Sequence, residues 1–214
     1  MKKLLVMITL FIFIGNISAQ QSEKNASEIL KKVTEKTKTY SSIKIEFIYT
    51  IENKEANLKE SKKGTLLIKG DKYNLNLVGQ TVISNALTIW TYIPDANEVQ
   101  INSIEEDDES LTPTKLLTSY YKEYKSKLIK ETSSGGKIVQ IIDCVPLQGK
   151  SYYKVRLTID KTNLQIVKIA IHDKNGSIYS YAIKSFVSNL NISDTKFKFN
   201  KSDFPVDVDV VDMR

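Results

Sequence analysis

The sequence predicts a mainly β protein of the α+β class: one large, strongly curved antiparallel sheet of about eleven strands with helices against one face. Three observations carry this. After residue 42, apolar and polar side chains alternate with a period of two through most of the chain. Helical spacing occurs in two stretches, and turn signals fall at short intervals with neither a repeat nor a linker between them. So many strands on one sheet must curl, and two amphipathic helices are too few to fill the trough that results. A ligand-sized apolar cavity is therefore expected.

The N-terminus reads as a secretory signal: Lys2 and Lys3, an apolar run from Leu4 to Ile14 broken only by Thr9, then the short stretch Gly15 to Ala19. That run is shorter than the roughly 20 residues needed to span a bilayer. Cleavage after Ala19 is expected, with residues 1–19 as signal peptide and 20–214 as a single soluble periplasmic domain starting at Gln20. Cysteine is absent near that point, so no acceptor for an N-terminal lipid is present there.

The elements follow in order. From Ser22 to Tyr40 the residues Ala26, Ile29, Leu30, Val33 and Tyr40 recur at helical spacing, with Asn25 placed as N-cap and Glu28 three residues on. Ile43, Ile45, Phe47, Tyr49 and Ile51 then alternate as a first strand. A second strand ends at Lys69, Gly70-Asp71 makes the turn, and Tyr73, Leu75 and Leu77 form a third. Short strands fit around Val82, from Leu87 to Tyr92 and from Val99 to Ser103, with Pro94 to Asn97 turning between the last two. A second helix is signalled by Thr112 as N-cap and Pro113 at its first position, with Leu116, Leu117, Tyr120 and Tyr124 on one side. Strands resume near Leu128, turn at Ser133 to Gly136, and continue over 138–145, 152–160 and 164–172. Asn175-Gly176 marks a hairpin, after which Tyr179, Tyr181, Ile183 and Val187 alternate. Phe197 to Phe199 and Val206 to Val210 supply the last strands.

Charge and chemistry exclude more than they suggest. Thirty-one basic residues against 25 acidic give a net charge of +6, which falls by two when Lys2 and Lys3 are removed. The lysines are scattered among acids, so a nucleic-acid partner is not expected, although a mild attraction to anionic membrane or an acidic partner is. Cys144 is the sole cysteine, which rules out an internal disulfide and a multi-cysteine metal site. His172 is the sole histidine, and Cys144 with His172 is the one nucleophilic pair the chain offers. The acidic run Glu105 to Glu109 lacks the glycine and spaced ligands of a calcium loop and reads as a solvated loop ahead of the second helix. No catalytic residue, metal or cofactor is expected, and a secreted hydrolase is the weakest of the readings considered.

Ser42 to Phe47, Gly64 to Lys69, the turn and tryptophan strand Ser84-Asn85-Ala86-Leu87-Thr88-Ile89-Trp90-Thr91-Tyr92, the Pro113 to Leu117 helix start, and the valine-aspartate terminus Val208 to Arg214 follow one another in an order that resembles the LolA family of lipoprotein carriers. The resemblance implies a half-open barrel lidded by helices. It further implies a monomeric carrier that binds the acyl chains of lipoproteins, takes them from an inner-membrane lipoprotein-releasing ABC transporter, and moves them to the outer membrane, where the acceptor is unspecified. A regulatory or sensing module of the same fold, binding lipid or a membrane protein, is the alternative. Two positions depart from the family: Asn85-Ala86 replaces an aspartate-glycine turn, and Lys69-Gly70 replaces an arginine-proline pair. Lysine lacks the bidentate fork of arginine, so that arginine's role is not carried over to Lys69.

The apolar faces of the early strands and the second helix give the expected lipid-binding cavity: Ile45, Phe47, Tyr49, Leu66, Ile68, Tyr73, Leu75, Ile89, Trp90, Tyr92, Ile101, Leu116, Leu117 and Tyr120. An acyl chain needs apolar walls without directional contacts, which these side chains supply.

Overall fold

The computed structural model describes residues 14–77, 79–104 and 112–214. Twelve strands form one sheet. They are β1 (Ile43–Asn53), β2 (Leu58–Lys69), β3 (Lys72–Leu77), β4 (Gln80–Ser84), β5 (Thr88–Ile93), β6 (Glu98–Ser103), β7 (Tyr124–Ser134), β8 (Lys137–Pro146), β9 (Tyr152–Asp160), β10 (Gln165–Asp173), β11 (Ile178–Ser188) and β12 (Asp209–Asp212). Their spatial order is β12-β6-β5-β4-β3-β2-β1-β11-β10-β9-β8-β7. Two meanders, β1 to β6 and β7 to β11, are thus joined where β1 pairs antiparallel with β11. The edges β12 and β7 do not meet, so the sheet curves without closing into a barrel.

Helix α1 (Ile14–Lys38) lies in the trough. Ala26, Leu30 and Val33 are buried on its inner side and join a core with Ile142, Val155, Leu157, Ile159 and Ile169. Polar side chains fix it in place: Ser22 Oγ donates to the Leu128 carbonyl at 2.8 Å, and Lys36 Nζ to that of Asn163 at 2.6 Å. The helix therefore fills the β7–β10 half of the trough and leaves the β1–β5 half to something else. Asn25, expected as N-cap, lies within α1, where its Oδ1 accepts from Gln21 Nε2 one turn earlier at 2.8 Å. The helix also runs across Ala19-Gln20, the expected cleavage point, while Lys2, Lys3 and most of the apolar run lie outside the described residues. Among the described residues no helix is long and apolar enough to cross a membrane.

The second helix differs from its expected form. It is two single turns, α2 (Lys115–Thr118) and α3 (Tyr120–Glu123), and Tyr124 already has strand dihedrals. Thr112 Oγ1 does accept from the Lys115 amide at 3.3 Å, so the start signal operates. Continuation fails because Thr118 and Ser119 donate their hydroxyls back to the carbonyls of Thr114 and Lys115, each at 2.8 Å, a bond that bends helices. The roof over the trough is consequently short and jointed.

The C-terminus also departs from an all-antiparallel meander. Phe197 to Phe199 is not a strand: a 3-10 turn spans Asp194–Phe197, with Ser193 Oγ accepting from the Thr195 amide. This segment crosses the convex face of the sheet, which the helices do not touch. Phe197 and Val208 are buried there, Trp90 stacks on Phe199 with centroids 6.4 Å apart, and Tyr92 meets Phe204 edge-on at 4.9 Å. Having crossed, the chain arrives at the far edge running the same way as β6, so β12 pairs with it in parallel and over Asp209–Asp212 rather than 206–210. A second, smaller core therefore sits on the outside of the sheet.

Candidate binding cavity

Between the β1–β5 half of the sheet and the short roof lies a cavity of about 600 Å³. Its floor comes from alternate positions on neighbouring strands: Ile45 and Phe47 of β1, Leu66 of β2, Tyr73 and Leu75 of β3, Val82 of β4 and Ile89 of β5. Ile169 of β10 and Tyr181 and Ile183 of β11 continue it past the junction of the two meanders, and Thr112, Pro113, Leu116 and Leu117 roof it. Asn102, Ser103 and Ile104 lie at the end of β6. Among these lining residues none is Asp, Glu, Lys, Arg or His. Burial raises the hydroxyl pKa of Tyr73, which a hydrogen bond with Ser84 partly offsets, and pushes that of Tyr181 to about 12. Both are neutral near pH 7, so the described residues of the cavity wall carry no charge.

Eight of the fourteen residues expected from sequence meet in this cavity: Ile45, Phe47, Leu66, Tyr73, Leu75, Ile89, Leu116 and Leu117. Trp90, Tyr92 and Ile101 do not. Neighbours on a strand face opposite sides, so Ile89 and Trp90 cannot share a wall; Trp90 and Tyr92 pack under the C-terminal segment, and Ile101 is paired with Trp90 in register. Ile68 lines a neighbouring, more polar pocket of about 400 Å³ with Thr37, Lys38 and Asp71, which Thr112 and Leu117 separate from the apolar one. Tyr49 lies beyond Phe47, its ring tilted against Tyr181 at 5.3 Å. Tyr120 is only 1% exposed and packs on Tyr124 at 5.3 Å, in the core beneath α1, and its hydroxyl has no hydrogen-bond partner among the described residues.

Ile169, Tyr181 and Ile183 are additions to the expected set. Alternation after the Asn175-Gly176 hairpin puts Tyr181 and Ile183 on one face, but only the β1–β11 pairing brings that face to the cavity.

Cys144 and His172 are on opposite faces of the sheet. Cys144 pairs with Val155 and Val155 with Ile171, and His172 is the next residue on that strand. Cys144 is buried in the concave core, with its thiol pushed up to about 12 by burial, and His172 lies against the Tyr153 ring at 5.9 Å. The acidic run 105–109 lies outside the described residues. Among the described residues no cluster of three metal-ligating side chains occurs.

The family model for the outer membrane lipoprotein carrier protein LolA matches residues 36–200. The chain belongs to the LolA family. No curated protein matches it. Among solved structures, an uncharacterized conserved protein from Thermus thermophilus is 13% identical, with a TM-score of 0.57, over 86% of this chain and 97% of that one. This likeness shows the shared fold. A putative outer membrane lipoprotein-sorting protein domain from Vibrio parahaemolyticus is 13% identical over 82% of this chain and 97% of that one, with a TM-score of 0.48.

The two departures from the LolA pattern have structural outcomes. Lys69 Nζ donates to the Ile192 carbonyl at 3.0 Å and pairs with Asp194 at 2.9 Å, so it fastens the C-terminal segment to the sheet and does not line the cavity. Ala86 keeps a left-handed backbone, φ 77°, that favours glycine. Asn85 Oδ1 holds the turn by accepting from the amides of Leu87 at 2.9 Å and Thr88 at 2.8 Å.

Proposed function

We propose that this LolA-family protein is a periplasmic carrier that holds the acyl chains of lipoproteins in the apolar cavity. It takes them from an inner-membrane ABC transporter and releases them at the outer membrane, without chemical change to the cargo. The observation that supports this reading is the lining itself: a volume within the 300–1,000 Å³ usual for ligand sites, walled mainly by aliphatic and aromatic side chains, with no Asp, Glu, Lys, Arg or His among its described residues. A polar or charged ligand would leave its hydrogen bonds unmet there. A saturated chain has none to lose, and each methylene withdrawn from water contributes about 0.8 kcal/mol. About ten methylenes contribute about 8 kcal/mol, partly offset by ordering the chain, which gives firm but reversible binding.

Release requires an opening, and the roof supplies the weak point. Two four-residue turns joined at Ser119 can shift without breaking any strand pairing. A photoreactive residue in place of Leu116 tests the reading in cells. Crosslinks to acylated protein are the expected outcome, and efficient crosslinking to the protein's own side chains alone would refute it.

A further inference from the structure

We infer that Gly64 and Phe47 together set the length of acyl chain that the cavity accepts. The inference rests on the carrier reading and adds a specificity limit to it. The cavity ends on a slant across the sheet: its last lining residues are Leu75 of β3, Phe47 of β1 and Tyr181 of β11, with Leu77, Tyr49 and Tyr179 outside it. At this end Tyr181, itself part of the wall, packs against the Tyr49 ring beyond Phe47, centroids 5.3 Å apart. Phe47 is the aromatic side chain of β1 at this end wall.

How far its ring stands into the cavity depends on residue 64. Phe47 and Gly64 are direct cross-strand partners. A Cβ on Gly64 would lie 2.4 Å from Phe47 Cζ, 2.7 Å from Cε2 and 3.0 Å from Cε1, the first two closer than real side chains approach, so the ring would have to move. The ring therefore lies down in the slot that the missing side chain leaves. Gly64 is buried in a strand and has no positive φ, so the ring rather than the backbone excludes alanine there. Tyr181 flanks the ring on another side, centroids 5.8 Å apart, and the free volume beside it is the cavity. A methyl at position 64 tips the ring into that volume and shortens the space for a chain. A smaller side chain at position 47 lengthens it.

Titration of the delipidated protein with N-acylglycines from octanoyl to stearoyl reads this directly. In the wild type, affinity rises about fourfold per added methylene and then levels off at a limiting length. In Gly64→Ala the limit comes at a shorter chain, so long chains bind on the order of tenfold more weakly while octanoyl binding is unchanged. In Phe47→Leu the limit moves to a longer chain. If Gly64→Ala does not fold, the Phe47→Leu shift alone decides. An identical limit in wild type and folded variants overturns the inference and leaves the carrier reading intact. A wild type whose affinity does not rise with chain length overturns both.

Discussion

Leu117→Glu is expected to lower acyl-chain affinity at neutral pH by at least about a hundredfold, because it places a carboxylate in the apolar roof of the cavity. Leu117 is 6% exposed and lies in α2 at the roof of the cavity, whose described lining residues include no Lys, Arg or His, while Lys38 lines the neighbouring pocket on its other side. Desolvating an unpaired carboxylate costs several kcal/mol, and an acyl chain arriving beside it removes the remaining water. Burial raises a carboxyl pKa, so the group becomes neutral as pH falls, and part of the lost affinity returns on acidification. Leu117→Gln, of similar shape and without charge, is expected to lose less and to show no such recovery. Fluorescent fatty-acid displacement across pH, with circular dichroism confirming the fold, makes the comparison. Normal binding by folded Leu117→Glu would mean that α2 does not face the ligand.

Phe197→Ala carries the largest expected loss of stability outside the cavity, about 3–5 kcal/mol, with a fall in Tm of roughly 10 °C. Phe197 is fully buried beneath the C-terminal segment, which brings β12 to the sheet edge and is fastened by Lys69 and by Asn74 Nδ2 donating to the Lys196 carbonyl at 2.7 Å. The ring belongs to the outer core, so its removal leaves the cavity lining untouched. Thermal unfolding should show the loss while acyl affinity measured well below Tm stays within about twofold of wild type. A parallel loss of affinity would mean that the two faces of the sheet are mechanically coupled.

These two residues also mark what local sequence can and cannot convey. Leu117 is legible because the Thr112-Pro113 start signal and the Leu116-Leu117 pair announce an amphipathic turn. Its neighbour Tyr120 continues the same apparent face, but back-bonding by Thr118 and Ser119 breaks the helix and rotates Tyr120 into the core. Phe197-Lys198-Phe199 alternates as a strand does, yet Phe197 is buried at the end of a 3-10 turn and Phe199 packs against Trp90 and Phe204 instead of entering a ladder. Alternation reports that a side chain is buried and does not say on which surface. For the same reason Ile89 and Trp90 both read as candidates for the cavity, and only the register to β4 and β6 assigns one to each face. Tyr181 and Ile183 enter the site through the β1–β11 pairing, a contact between segments far apart in sequence that no local pattern encodes.

Whether the apolar cavity under α2 holds the acyl chain of a lipoprotein is tested most directly by native mass spectrometry of the protein isolated from its own periplasm. The expected result is a population carrying extra mass that, on gentle activation, releases an acylated protein or peptide, and that disappears in Leu117→Glu. Protein that is bare in every preparation, or that carries a polar ligand unaffected by Leu117→Glu, would contradict the carrier assignment.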